Sequence, residues 1–302
     1  MPLLPDDVPP MLCTVGSAFD DDAFLFEVKW DGVRALAYVD DGGLRAHSRN
    51  RRDLAGRYPE LQILTALPPG TLLDGEIVVL RPDGTPDFPA VLARENARSE
   101  RRVQQVARAH PVVYVVFDLL FDAGEPLLDQ PLHARRSRLA ARIGALGSER
   151  IIASEGVVGR GRQFFAAVRA RGLEGMVGKR LDSRYRPGER SPHWQKIKPV
   201  HVVHCAILGY EPDGERDFRS LIIGTDVDGE LHCVGKVGSG LTVADKQRLF
   251  PLLLARRRAQ PLVPTELRGC WVEPGLYCSV SYLERTASGS LRAPVFLALL
   301  DN

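Results

Sequence analysis

The chain has 302 residues, enough for two modest domains, because single cores tend to split as chains reach this size. With 44% hydrophobic and 26% charged residues it has the composition of an ordinary folded protein, which excludes a disordered chain. The net charge of +2 hides an uneven layout, with acidic residues near positions 20–22 and 40–41 and basic ones at Arg49, Arg51, Arg52 and in the runs 94–102, 135–142 and 256–258. No stretch reaches the ~18 apolar residues of a membrane span, and residues 1–10 lack the basic-then-apolar pattern of a secretory signal. Five cysteines (Cys13, Cys205, Cys233, Cys270 and Cys278) form no Cys-x-x-Cys pair. That argues against a disulfide framework or a Cys-rich zinc site and fits a reducing cytoplasm.

Residues 24–28 form a short apolar strand. Val33, Ala35, Ala37 and Val39 then alternate as one face of a second strand that ends at the turn Asp40-Asp41-Gly42-Gly43. Residues 72–80 read as a strand closed by Pro82-Asp83-Gly84. Residues 112–120 are an unbroken β-branched and aromatic run, the pattern of a strand buried on both faces. Helical spacing brings Leu139, Ile143 and Leu146 to one side of residues 132–146, and Phe164, Phe165 and Val168 to one side of residues 161–171. The basic runs on such helices read by default as solvated faces, though several together suit a polyanion track. After Lys198-Pro199 the texture changes. Short strands at 202–210, 220–226, 231–237, 277–283 and 294–299, with one helix at 243–258, suit a small barrel of the OB type. The expected fold class is therefore α+β, with a domain of sheets and helices over 1–200 and an OB-fold barrel over 201–302.

One segment stands apart: Glu27-Val28-Lys29-Trp30-Asp31-Gly32-Val33-Arg34. A lone lysine is normally a solvated charge. This one ends an apolar strand and is followed by Asp-Gly and Arg, where the chain turns beside polar groups that can tune an amine toward nucleophilic attack. The Lys-x-Asp-Gly-x-Arg pattern resembles the first motif of the covalent nucleotidyltransferases, which include ATP-dependent DNA ligases, RNA ligases and mRNA capping enzymes. Further elements follow in the order those enzymes keep: Ser48-Arg49-Asn50, Asp74-Gly75-Glu76-Ile77, Phe117-Asp118-Leu119-Leu120, Glu174-Gly175-Met176-Val177-Gly178-Lys179 and Trp194-Gln195-Lys196-Ile197-Lys198. Each alone would pass for a turn or a core strand; the ordered set does not. The segments 268–274 and 291–296 resemble the OB domain of bacterial end-joining ligases, so the resemblance covers the whole chain.

The resemblance implies an ATP-dependent DNA ligase. Lys29 would attack the α-phosphate of ATP, carry AMP as a phosphoramidate, and pass it to a 5′-phosphate at a nick before the 3′-hydroxyl displaces it. Lys196 and Lys198, two residues apart on a strand and so on one face, would hold the α-phosphate. Glu174 would bind Mg²⁺ or Mn²⁺, with Asp31 holding a metal-bound water. Glu27 would accept from the adenine amino group, Glu76 from a ribose hydroxyl, and Phe117 would stack on the base. Arg34 and Arg49 would lie along the sugar and the 5′-phosphate. The implied partners are nicked double-stranded DNA and a DNA-end-binding or repair protein. No membrane is involved, a monomer is expected, and the location is the cytoplasm at the bacterial nucleoid.

Two other readings stay open on sequence: an RNA ligase or capping-type transferase, and a degenerate ligase that only binds nucleic acid. The ligase module is expected to work without a helical DNA-binding domain ahead of residue 20 and without an attached polymerase or nuclease. At the C-terminus, Arg292, Pro294 and Phe296 match the related ligases, but Leu300 stands where they carry an arginine and no lysine follows Asp301-Asn302. The expectation is a slow first step, unless Arg292 or a nearby basic residue takes over the missing charge. Gly235-Lys236-Val237-Gly238-Ser239-Gly240 lacks the spacing of a P-loop and reads as a bend in the barrel. His193, His201, His204 and Cys205 lack a second ligand pair and read as structural.

Overall fold

The computed structural model describes residues 4–300 apart from Asp228 and Ala287. It divides into two compact units, Met1–Lys198 and Pro199–Asn302.

In the first unit the elements run β1 (Leu12–Val15), β2 (Asp21–Val28), β3 (Val33–Asp40), β4 (Gly43–Ser48), β5 (Thr71–Val79), α1 (Phe88–Glu95), α2 (Glu100–Ala109), β6 (Val112–Asp122), β7 (Glu125–Pro126), α3 (Leu132–Leu146), β8 (Ile151–Ala153), β9 (Gly156–Gly159), α4 (Gly161–Ala170), β10 (Met176–Arg180) and β11 (Arg190–Ile197). One sheet has the order β1-β11-β10-β2-β9. The other runs β4-β3-β5-β6-β7, with β8 parallel to β6. The α+β class therefore holds.

The pleat explains how the two sheets meet. Ala35, Ala37 and Val39 of β3 point into a core shared with Leu139 and Ile143 of α3 and Val91 of α1. Leu36 and Tyr38, on the opposite face of the same strand, pack with Leu72, Leu120, Tyr185 and Trp194 of β11. The second sheet is thus buried on both sides, as the apolar run of β6 requires. Phe24, Phe26 and Met176 pack the other side of the first sheet against Val168 of α4.

The second unit contains β12 (His201–Pro212), β13 (Phe218–Val227), β14 (Glu230–Val237), α5 (Val243–Leu254), β15 (Arg257–Arg258), β16 (Cys270–Val272), β17 (Tyr277–Tyr282), β18 (Glu284–Arg285), β19 (Leu291–Arg292) and β20 (Val295–Leu300). β12 pairs with β13, β13 with β14, and β12 also with β17, which pairs with β20. A parallel bridge between Ser239 and Val295 joins the segment after β14 to β20 and brings the sheet round on itself. Five strands in this order, with a helix between the third and fourth, give the small Greek-key barrel of the OB type. Gly235 sits at a bulge of β14, where Val234 has no partner opposite it. The helix expected over 243–258 ends earlier, at Leu254, because Arg257 and Arg258 pair with Val272 and Trp271 instead.

Candidate active site

Lys29 follows the last residue of β2. Its backbone N–H donates to the carbonyl of Gly175 (2.9 Å), so the loop carrying the lysine is pinned to the turn that precedes β10. Gly175 has φ +148°, and a Cβ there would lie 2.3 Å from the Ile197 carbonyl oxygen, so only glycine fits. Gly32 is constrained from the other sheet, since a Cβ there would lie 2.2 Å from the Ile77 carbonyl oxygen. The two Gly steps of the motifs therefore let backbone approach backbone where the sheets meet.

Strand register brings the polar side chains to one surface. Glu27 lies opposite Val177, and Val177 opposite Lys196, across three neighbouring strands. Lys179 lies opposite Trp194 in the same way. Cross-strand partners share a face, as do residues two apart. On the second sheet Arg34 lies opposite Glu76. These surfaces line a cavity of about 900 Å³, whose wall includes Glu27, Lys29, Arg34, Arg49, Glu76, Phe117, Lys179, Trp194, Lys196 and Lys198. The structure thus brings eight of the sequence-predicted residues together, with Lys179 and Trp194 in addition.

Glu174 is the hinge of the charged end. Its Oε2 accepts a close hydrogen bond from Lys29 Nζ, and its Oε1 pairs with Lys198 Nζ at 2.5 Å. Glu174 is not part of the cavity wall; it meets the cavity through the two lysines it holds. Lys196 is half-buried in the wall and has no ion pair among the described residues. Asp31 lies in the loop between β2 and β3 and does not line the cavity.

Glu76 is half-buried, and burial pushes its carboxyl up to about 8, against the opposing pull of Arg34 and Lys29. Arg34 is engaged on the protein side. It forms a two-pronged pair with Asp74 (2.9 and 2.6 Å) and donates to the Met11 carbonyl at 2.8 Å. Burial works against its charge, but Asp74 more than offsets this and holds the guanidinium above its usual range. Asp74 is fully buried and also accepts from the Tyr185 hydroxyl at 2.7 Å. Arg49 is exposed, as is Arg98 in the same wall, and neither is paired among the described residues. Phe117 is half-buried. Arg34 and Lys179 approach its ring at 5.3 and 4.0 Å from the centroid, so the ring is partly a packing residue before any base arrives.

Sequence reasoning missed Lys179 and Arg136. The Lys179 side chain is 3% exposed, with its Nζ 2.5 Å from Glu27 and 4.4 Å from the Trp194 ring centroid. Burial pulls its ammonium down and Glu27 opposes the shift. Arg136 reaches Glu27 from α3 at 2.5 Å. The basic runs 94–102 and 135–142 are not simply solvated faces: Arg94 and Arg135 are fully buried and paired to Glu60 and Asp118. The signal was present, because Arg135 falls on the apolar stripe Leu132, Leu139 and Ile143 of α3.

Among the described residues no group of three or more His, Cys, Asp or Glu side chains is placed to hold a metal ion. Glu174 fits a divalent ion in another way. A carboxylate is the hard oxygen donor that Mg²⁺ takes, and one or two such protein ligands are enough for that ion. Leu300 ends β20 opposite Tyr277, and Asp301-Asn302 lie outside the described residues.

A lysine-bearing loop, a shared carboxylate and a cavity wall of lysines and arginines are one set, and the comparisons agree on its family. Residues 10–198 match the ATP dependent DNA ligase domain, and residues 214–301 match the ATP dependent DNA ligase C terminal region. The chain belongs to the ATP-dependent DNA ligase family. It is 34% identical over 312 residues to the multifunctional non-homologous end joining protein LigD of Pseudomonas aeruginosa, covering 99% of this chain and 36% of that one. The crystal structure of the ligase domain from M. tuberculosis LigD superposes with a TM-score of 0.58 at 32% identity, covering 97% of this chain and 95% of that one. A mycobacterial DNA ligase D complexed with ATP and MES superposes with a TM-score of 0.56 at 31% identity, covering 97% and 95%. The chain spans a little over a third of the length of the curated relatives it matches first. No helix among the described residues is long and apolar enough to cross a membrane.

Proposed function

We propose that this chain seals nicks in duplex DNA with ATP as the AMP donor, through a covalent intermediate on Lys29. The observation that carries the reading is the placement of Lys29 and Lys198 on the two oxygens of Glu174, in the wall of a cavity large enough for a nucleotide.

In the first step Lys29 Nζ, after losing a proton, attacks the α-phosphorus of ATP. The bond to the bridging oxygen breaks and pyrophosphate leaves. That proton leaves to water, and Lys196 and Lys198 offset charge on the α-phosphate oxygens. In the second step an oxygen of a DNA 5′-phosphate displaces Lys29 from AMP. In the third the 3′-hydroxyl attacks that 5′-phosphate and AMP leaves. Glu76 receives a ribose hydroxyl, Glu27 the base, and Phe117 packs on the base. Arg49 faces the 5′-phosphate, and Arg34 is fixed for the sugar side by Asp74. Glu174 is the residue that would hold Mg²⁺ or Mn²⁺, which supplies charge neutralisation between phosphate oxygens. Asp31 would act through a metal-bound water.

The names of the first relatives support a role in joining broken DNA ends, with an end-binding protein as partner. A DNA substrate would place the chain at the bacterial nucleoid in the cytoplasm, and one copy provides all the residues of the site. Presenting nicked duplex DNA and the matching RNA duplex to the adenylated protein tests the substrate class. Sealing of DNA and not RNA is expected; preferential transfer of AMP to RNA would favour an RNA ligase.

A further inference from the structure

We propose that Arg136 is a positioning residue for base selection: it holds the Glu27 carboxylate beside Lys179, so that the pair favours adenine over guanine. The inference rests on the reading of the cavity as a nucleotide site.

Glu27 is 2% exposed and its two oxygens are held from different directions, Oε1 by Arg136 Nη1 and Oε2 by Lys179 Nζ, each at 2.5 Å. Arg136 also donates through Nη2 to the Ser154 carbonyl and through Nη1 to the Phe117 carbonyl at 3.4 Å. One guanidinium on α3 therefore ties β2 of the first sheet to the backbone of β6 in the second. Glu27, Phe117, Ser154 and Lys179 all line the cavity, whereas Arg136 does not. It can act on a ligand only through the groups it holds.

The charges make the arrangement selective. Two cations share one buried carboxylate, so the Lys179 ammonium is not fully neutralised and can still donate to a base. Adenine presents a 6-amino donor next to an unprotonated ring nitrogen, which match a carboxylate and an ammonium side by side. Guanine in the same pose sets its 6-oxo group against the carboxylate and a ring N–H against the ammonium. Mispairing both groups in a dry site is costly, and that mispairing rather than added attraction creates the preference. Without Arg136, Glu27 and Lys179 collapse into a closed pair with one oxygen free to turn.

The experiment measures formation of the Lys29–nucleotide adduct against ATP and GTP concentration in the wild type, R136Q, R136K, E27Q and R136Q/E27Q, with melting temperatures alongside. Folded R136Q is expected to raise KM for ATP about tenfold, keep kcat within about threefold, and narrow the ATP-over-GTP ratio. R136K should restore most of the ratio, and R136Q should add little in the E27Q background. An unchanged ratio in folded R136Q, equal losses of kcat for both nucleotides, or additive effects of the two substitutions would overturn the proposal. Should R136Q fail to fold, E27Q carries the test from the other end of the contact, and an unchanged ratio there overturns it equally. A wild type that forms no adduct with any nucleotide contradicts the ligase reading itself, a separate outcome.

Discussion

Lys29 and Lys198 share one carboxylate, since Glu174 holds the first on Oε2 and the second on Oε1. Their side chains come from the loop after β2 and from the residue that follows β11, and β10 runs between those strands. The lysine proposed as nucleophile and one proposed to bind phosphate are thus oriented by one group. On the proposed reading, the phosphates of ATP would offer both lysines a competing anion and leave the carboxylate available for a divalent ion.

Removing that group should disorganise both ends at once. Glu174→Ala is expected to slow nick sealing by roughly 10²–10³-fold, the range for losing an electrostatic contact in a transition state. Added Mg²⁺ should not restore the rate. Sealing that is indifferent to the substitution, or to EDTA, would remove Glu174 from this role.

Gly175 gives a steric test of the same alignment. A methyl group there meets the Ile197 carbonyl oxygen, and Gly175 is also the residue whose carbonyl accepts from Lys29 N–H. Gly175→Ala should displace both Glu174 and the Lys29 loop, and adduct formation should fall by roughly 10²-fold, as expected for a misplacement of about 1 Å. The readout is adduct rate beside melting temperature. A variant that melts lower but labels at the wild-type rate would show that the turn serves stability alone.

Glu76 links the site to pH. Its carboxyl is pushed up to about 8 from an ordinary 4.5, mainly by burial. A folded value above the unfolded one means that its contribution to stability is present in full below about pH 4.5. It is lost progressively as pH rises toward 8. Glu76→Gln stays neutral throughout, so the melting temperature of the variant relative to wild type should rise between pH 5 and 8, a window of order-of-magnitude precision, and then level off. A constant difference across that range would mean that Glu76 is ionised in the folded protein.

Much of this was legible before the fold was known. Residues 132–146 and 112–120 carry long, regular apolar patterns, and α3 and β6 lie where those patterns predict. The wall residues were named through the resemblance of the ordered motifs to the nucleotidyltransferases; spacing by itself placed only Lys196 and Lys198 on one face. β10 was not read as a strand, and of β11 only the stretch around Lys196 and Lys198 was, although Lys198 falls just past its end. Arg190–Ile197 contains a proline and five polar or charged residues among its eight, and its pairing is decided by distant partners. Arg136 was hidden for a related reason: a helical basic run looks solvated until the carboxylate it serves, on β2, folds against it.

Arg49 and Arg98 are exposed in the cavity wall and unpaired among the described residues, so they are available for DNA phosphates. Affinity for nicked DNA is expected to fall steeply with salt, with log affinity linear in log salt. Each of Arg49→Ala and Arg98→Ala should reduce the slope by about one. A slope that neither variant changes would place the DNA backbone elsewhere on the protein.

The central claim is that Lys29 becomes covalently bonded to AMP, and mapping that bond is its most direct test. The protein would be incubated with α-labelled ATP and Mg²⁺, and the label then located by peptide mass spectrometry in the wild type and in Lys29→Ala. The account predicts an acid-labile AMP on Lys29 in the wild type and no adduct on the folded variant. Label on another residue, or label that survives Lys29→Ala, would contradict it.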